Sequence, residues 1–359
     1  MCIACGTAID VQKQDAFANE LLQTLNHGVT CLMISLGHRA GLFDVLADGQ
    51  PRTSDQLARD ADLNERYVRE WLGGMVASRI VERDPDAATH RLPPEHAKCL
   101  SRHSPTDNMA VFTQYVSGLG YVEDQILDRF RHGGGVPYSA YPRFHDVMEE
   151  DSGQSIVPII VDQLVPLIPG LHERLTAGID VLDIGCGRGR ALIELARAYP
   201  ASRFIGYDLS VDAIDYATRR AAQLELRNVR FVEKDLTDWH EPARFDWITA
   251  LDAIHDQARP DNVLAAVREA LRPGGVFFMQ DIGLSSEPVD NIDHPLGAML
   301  YGVSLMHCMT VSLAQGGMGL GAAWGVQLAE RMLREAGFDN IQTHRFDHDV
   351  QNVYFVMQT

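Results

Sequence analysis

The chain is short of positive charge. Its 359 residues carry 31 Lys and Arg against 49 Asp and Glu, a formal net of -18, so a phosphate backbone is repelled at long range unless a local basic patch intervenes. That balance argues against nucleic acid as a partner. Cysteine is sparse as well: the six residues Cys2, Cys5, Cys31, Cys99, Cys186 and Cys308 are scattered along the chain, which argues against a disulfide framework and suits a reducing compartment. Cys2 and Cys5 form a C-x-x-C pair with no second ligand pair and no following βαβ helix, and the N-terminus is read as non-functional. No basic stretch leads into an apolar run near Met1, so no export signal is indicated and a cytoplasmic location is expected. Internal repeats, low-complexity tracts and long linkers are missing too. What remains is a globular composition, 46% hydrophobic, long enough for two or three cooperating domains.

From about Asp15 to Leu46 the residues Phe17, Leu21, Leu25, Leu32, Leu36 and Leu42 recur near helical spacing, and Gly28 and Gly37 are expected to interrupt the helix. The next stretch, TSDQLARDADLNERYVREWLGGMVASRIVERD, has the pattern of a helix-turn-helix. Thr53 or Ser54 caps a short helix, Asp62 to Asn64 make the turn, and an apolar-faced helix follows. Ile80-Val81 and His90 to Leu92 flank Asp84-Pro85 as two strands of a wing. The second helix carries Glu65, Glu70, Arg66 and Arg69, a mixed face rather than a basic one. A winged helix used for packing and for a homodimer is therefore favoured over one that enters a DNA groove. A helical connector then runs from Pro105 to Leu175, broken by HGGGVPYSAYPRF, whose glycines, prolines and aromatic residues suggest a shaped surface near a ligand. Loop-shaping alone explains it nearly as well.

From Ile179 the pattern alternates strand and helix, the mark of a mostly parallel sheet covered on both faces. The strand Val181 to Ile184 runs into Gly185, Gly187 and Gly189 and then a helix from Ala191 to Tyr199. Glycines let backbone approach a ligand, and a helix N-terminus presents free N–H groups. About twenty residues on, the strand Arg203 to Tyr207 ends in Asp208, a carboxylate able to accept both hydroxyls of a ribose. The strand Val229 to Val232 leads to Asp235 and Leu236, suited to an adenine amine and ring face. FDWITALDAIH and LRPGGVFFMQDI follow as further strands.

In this order and spacing, Asp183, Gly185, Gly187, Asp208, Asp235 and LRPGG resemble the class I S-adenosylmethionine-dependent methyltransferases. The resemblance covers Ile179 to Thr359, including a terminal hairpin from Ile341 to Phe346 and Val353 to Met357. A dehydrogenase is the structural competitor, but its turn reads G-x-G-x-x-G. With LNERYVREWL, GGGVPYSAYPRFH, DAIHDQARP and MHCMTVSLA included, the whole chain is similar to bacterial winged-helix methyltransferases, some of them labelled transcriptional regulators. The fold class implied is α/β, a Rossmann-like methyltransferase domain with an N-terminal winged-helix dimerisation domain. It divides into residues 1–104, a connector over 105–175 that contributes to the active site, and residues 176–359. The resemblance implies S-adenosyl-L-methionine as cofactor, held by Asp183, Gly185, Cys186, Gly187, Asp208, Leu209, Asp235, Leu236, Leu251 and Asp252.

Methyl transfer to a hydroxyl or thiol of a small molecule needs alignment and a base. His255 follows the strand Asp246 to Ala250 at the sheet edge where such folds bind ligands. Ile254-His255-Asp256 resembles the I-H-D-W element of small-molecule O-methyltransferases, with Gln257 in place of the tryptophan. The catalytic residues implied are His255 as general base and Asp256 beside it. A histidine that only steadies a loop is the alternative. Residues 283–325 form an insertion whose span between His294 and Ala329 lacks Lys, Arg, Asp and Glu. It exceeds the ~20 residues that cross a bilayer, yet its glycines, serines and histidines inside an α/β domain favour an apolar lid and no membrane. Tyr138, Tyr141, His294, Tyr301, His307 and Cys308 are expected to line the acceptor pocket, with no metal. A ligand-sensing, DNA-binding regulator is the competing function.

Overall fold

The computed structural model describes residues 6, 8–104, 108–347 and 349–359. Cys2, Cys5 and Pro105 lie outside them. The described chain divides into two units, Met1–Ser117 and Gly118–Thr359.

The first unit begins with one uninterrupted helix, Val11–Arg39, capped by the Asp10 side chain, and a short helix Leu42–Leu46 follows. Gly28 and Gly37 do not break it, contrary to expectation. The reason at Gly37 is packing: a Cβ there would stand 2.4 Å from the Trp71 ring, and the Trp71 indole N–H donates to the Met33 carbonyl at 2.9 Å. A glycine costs a helix about 1 kcal/mol relative to alanine, and here the loss is offset by close helix contact. The helix-turn-helix pair is Ser54–Asp60, with a complete capping box between Thr53 and Gln56, and Glu65–Ala77, capped by Asn64. The wing pairs β1, Glu82–Asp84, with β2, Thr89–Arg91, two residues later than expected at its first strand. Leu57, Val68, Trp71, Leu72 and Met75 close the core of this unit.

The second unit is built on a seven-stranded sheet of β3 (Asp180–Ile184), β4 (Arg203–Asp208), β5 (Val229–Glu233), β6 (Phe245–Leu251), β7 (Leu271–Ile282), β8 (Ile341–His344) and β9 (Asn352–Gln358), in the order β5-β4-β3-β6-β7-β9-β8. Pairings among β3 to β7 are parallel, and β9 runs antiparallel to both its neighbours. Successive residues of one strand serve opposite faces. Leu182, Ile184, Ile248, Ala250, Phe277 and Met279 enter one core, while Val181, Trp247, Val276 and Phe278 enter the other. The chain leaves β3 toward β4 and β5, then returns to its far side with β6. Reversal of strand order opens a crevice at the carboxyl ends of β3, β4 and β6.

Two segments cover that crevice. The helix Phe144–Ser155 is tied to the glycine turn after β3: Arg188 reaches Asp146 at 2.8 Å and Glu149 at 2.7 Å. Arg190 donates to the Glu149 carbonyl at 3.0 Å. The insertion after β7 folds into a helix over Gly297–Ala314 that passes through a π-type turn at Ser304–Cys308. Length and composition alone would let this helix cross a membrane. Two of its polar side chains are instead bonded within the domain, the Ser312 hydroxyl to the Gln257 carbonyl at 2.8 Å and Thr310 Oγ1 to the Val136 N–H at 2.8 Å. The HGGGVPYSAYPRF loop lies against it so closely that a Cβ on Gly135 would stand 1.9 Å from the Thr310 carbonyl oxygen.

Candidate active site

The glycine turn after β3 is fixed by Asp208 at the end of β4. One carboxylate oxygen accepts the Gly187 N–H at 2.8 Å and the other accepts the Ser210 N–H at 2.8 Å. The Cys186 N–H donates to the Tyr207 carbonyl at 3.0 Å, and its thiol is buried, which with the carboxylates of Asp208 and Asp183 pushes its pKa well up. Gly185 allows close approach of Ala253, 2.4 Å from where a Cβ would stand, while Gly187 at φ +50° has nothing within 4 Å of that point. One glycine serves packing and the other leaves open backbone.

Asp183 is buried under the turn and accepts from the Thr249 hydroxyl at 2.7 Å. Burial pushes its carboxyl up to about 7, Thr249 opposing and Asp208 adding. At the neighbouring edge Asp235 accepts the Thr237 N–H at 2.8 Å, which holds its pKa down. Leu209 is 53% exposed. Leu236 is turned into the core with Tyr207 and Trp239, so its side chain offers no open ring-facing surface, and Leu251 packs against the core on the sheet's other face.

His255 is buried, 3% exposed. Its Nδ1 lies 2.8 Å from Asp281 Oδ1, an oxygen that also accepts from the Ile282 N–H at 2.8 Å and the Trp324 indole at 3.0 Å. Burial works against a proton on His255, but the Asp281 carboxylate and the Cys308 thiol outweigh it and hold the imidazole well above its ordinary range. Asp252 stands at φ +52°, uncommon outside glycine though tolerated by Asp, and Gln280 donates to it at 2.7 Å. Asp256 is pushed up to about 6 by burial, with His255 opposing and Asp208 and Asp281 adding. Ligand-type atoms of Asp252, His255 and Asp281 lie within 4.8 Å of one another, so this group has the donors to take a divalent cation.

The lid brings two of its predicted residues here. Cys308 is among the groups that act on the His255 ring, and His307 is stacked on Phe144 at 3.6 Å with Tyr138 and Tyr141 edge-on. Tyr141 also donates its hydroxyl to the Met306 carbonyl. His294 and Tyr301 go elsewhere: His294 accepts the Leu296 N–H at 3.2 Å, and the Tyr301 hydroxyl accepts from Asn291 at 3.2 Å, so both serve the lid's own fold. Sequence reasoning passed over Asp281, Gln280, Phe144 and His145, whose Nε2 lies 3.2 Å from the Ser210 hydroxyl. The acid closing β7 at the ligand-binding edge was the available signal for Asp281.

Buried polar atoms in folded proteins are nearly always paired. Here Asp252 Oδ1, Gln280 Oε1, Asp281 Oδ2 and both ring nitrogens of His307 are buried with no hydrogen-bond partner. Such a concentration around one histidine marks a place built for a ligand rather than a packed core.

Residues 175–337 match the family described as a methyltransferase domain, and residues 28–102 match the Rv2258c-like winged HTH domain. The chain thus carries a methyltransferase domain and, ahead of it, an Rv2258c-like winged HTH domain. Among curated relatives, a fatty-acid O-methyltransferase of Mycolicibacterium smegmatis is 34% identical over 37% of this chain and 50% of its own length. Methyltransferase pytC of Aspergillus terreus is 30% identical over 60% of this chain and 64% of its own. The matched segments span 36 to 50% of the first three curated relatives. Human N-acetylserotonin methyltransferase, solved with S-adenosylmethionine, aligns with a TM-score of 0.69 at 16% identity over 98% of this chain and 99% of that one. An O-methyltransferase family protein of Burkholderia thailandensis aligns at 0.63 and 19%, over 98% of each. These structures share the fold, Rossmann-like domain and winged helix together.

Proposed function

We propose that this methyltransferase moves a methyl group from S-adenosylmethionine to a hydroxyl or thiol of a small molecule, with His255 as general base. The carrying observation is the buried His255–Asp281 pair at 2.8 Å, set at the strand edge where β6 and β7 meet the lid.

The residues present fit the cofactor. The bare backbone at Gly187 gives a ligand room to approach. Each Asp208 oxygen accepts one backbone N–H, and a carboxylate has about four lone-pair sites, so two remain for ribose hydroxyls. When bound, the cofactor supplies an electrophilic sulfonium methyl. The chain's own part is to align the acceptor, exclude water beneath the Gly297–Ala314 helix, and take one proton. With Nδ1–H donated to Asp281, Nε2 is the atom that receives it, and Asp281 stabilises the imidazolium that results. Asp256, raised only to about 6, stays mostly ionised at neutral pH and adds negative charge beside His255.

The exposed row Phe17, Leu21, Leu25, Leu32 and Leu36 on the first helix, each at least 40% accessible, is an apolar surface of the kind that meets a partner, and a second copy of the chain is our assignment. The free thiols Cys31, Cys99, Cys186 and Cys308 suit a reducing compartment such as the cytoplasm. The regulator reading gains nothing from the second helix of the winged unit, whose arginines are paired with its own glutamates.

The test is turnover of His255→Ala with labelled donor and a neutral hydroxyl acceptor. Loss of a general base costs about 10²–10⁴-fold in rate, and cofactor affinity should change little because Asp208 and the glycine turn remain. Wild-type turnover in the variant would reduce His255 to a structural role.

A further inference from the structure

The least explained group in the domain is His307. It sits in the π-type turn Ser304–Cys308, where a helix widens locally and re-aims a side chain, a feature frequent at functional sites. The ring is 2% exposed. Phe144 covers one face at 3.6 Å with an interplanar angle of 9°, and Tyr138 and Tyr141 meet the ring edge-on at 5.3 and 4.7 Å. Neither nitrogen has a hydrogen-bond partner. Phenylalanine would fill this aromatic cage without leaving two polar atoms unmet, so packing alone does not account for a histidine.

Charge narrows what can meet those nitrogens. Burial, with the fields of His255 and His145 adding to it, pushes the imidazole down to about 3. It is therefore neutral, with one N–H donor and one lone-pair acceptor. The lid between His294 and Ala329 contains no Lys or Arg, and Arg188, which acts on Tyr138, is taken up by Asp146 and Glu149. Asp256, Asp281 and Asp252 on the facing loop and strand add acidic groups, so an anionic acceptor has no free cation among these residues to meet.

We propose that His307 reads the methyl acceptor through one donated and one accepted hydrogen bond, and that the acceptor is an uncharged molecule bearing a second hydroxyl or carbonyl beside the group that is methylated. This rests on the reading of the site as a small-molecule methyltransferase and adds a residue that sets specificity. In this reading one acceptor meets the base with one oxygen and His307 with another. A site whose buried polar groups are left unpaired by the wrong ligand discriminates more strongly than an apolar pocket does.

Two probes sharing a ring system separate the second oxygen from the first: naphthalene-2,3-diol and 2-naphthol, titrated by calorimetry into the full-length protein saturated with the demethylated cofactor product. Wild type is expected to bind the diol at least tenfold more tightly. His307→Phe should bind both equally, keep wild-type affinity for S-adenosylmethionine, and melt higher than wild type without ligand, because two unmet polar atoms are gone. His307→Leu gives the same comparison should the phenylalanine variant fail to fold. Equal affinities in wild type, no binding of either probe, a preference that survives in both variants, or lower melting of both ligand-free variants overturns the proposal. Because binding is read without turnover, failure of wild type to bind S-adenosylmethionine would sink the methyltransferase reading separately.

Discussion

In the first unit, the helix Glu65–Ala77 that would face DNA in a groove-binding winged helix closes its charges on itself, Arg66 to Glu70 at 2.5 Å and Arg69 to Glu65 at 3.4 Å. In the second unit, the helix Gly297–Ala314 bears no charged residue, yet delivers a histidine with both nitrogens unmet. A surface that has already satisfied its polar groups has little left to offer a charged partner. A buried site that has not done so gains whenever a ligand completes it. Between these two helices, satisfaction of polar groups, more than their number, separates a closed surface from one open to a ligand.

The strongest way to sharpen that contrast is to remove a group that has both internal and ligand duties. Asp208→Ala deletes the acceptor for the Gly187 and Ser210 N–H groups and for two ribose hydroxyls. At ~1.5–3 kcal/mol per hydrogen bond to a charged group, the cofactor dissociation constant should rise by about 10²-fold or more. Calorimetry with S-adenosylmethionine checks this, and unchanged affinity would remove Asp208 from the cofactor site.

A smaller effect is expected from Asp281→Asn, read as a pH profile. Protonated His255 cannot take the acceptor's proton, so wild-type kcat/KM should be low in acid and climb as pH rises through the raised pKa. Losing the carboxylate charge lowers that midpoint toward or below the ordinary ~6.5 and leaves a weaker base, with plateau activity down roughly tenfold by Brønsted behaviour. Linkage gives the same sign in stability. A raised histidine pKa contributes stability that is fully present below the unfolded value and is lost as pH rises through the folded one, so the variant's melting temperature should depend less on pH. A profile identical to wild type would detach Asp281 from His255.

The parts of this site legible in the sequence are those made by neighbours in the chain. The glycine turn, Asp208 and His255 each fall at the end of an apolar strand, and the strand's own pattern says where its end is. Asp281 was missed because it meets His255 across adjacent parallel strands, 26 residues away. The His307 cage was legible only in part: Tyr138, Tyr141 and His307 were expected in one pocket, but Phe144 meets His307 only through the packing of a loop on a lid, and a π-type turn has no sequence signature. The continuous first helix was misjudged for a related reason: Gly37 looks like a breaker until Trp71 is seen lying against it. Leu236, expected beside an adenine ring, also packs in the core with Tyr207 and Trp239.

The smallest expected effect lies on the winged helix. Glu65→Gln with Glu70→Gln uncouples Arg66 and Arg69 from their partners while leaving the helix cap at Asn64 intact. Exposed ion pairs of this kind contribute ~0.2–1 kcal/mol each, so the melting temperature should fall by no more than a few degrees. Glu65 also accepts the Ser54 hydroxyl at 2.6 Å, a bond the glutamine oxygen can keep. Two freed arginines then stand on a face that a groove-binding protein would use, against a chain whose formal net charge is -18. Retardation of a mixed-sequence duplex should be absent in wild type at physiological salt and remain absent in the variant, because two cations give little counterion release where specific binders engage many phosphates. Sequence-selective, salt-sensitive binding by the wild type would break the comparison, since it would mean that paired charges on the helix open for DNA and that the first unit, too, holds polar capacity in reserve.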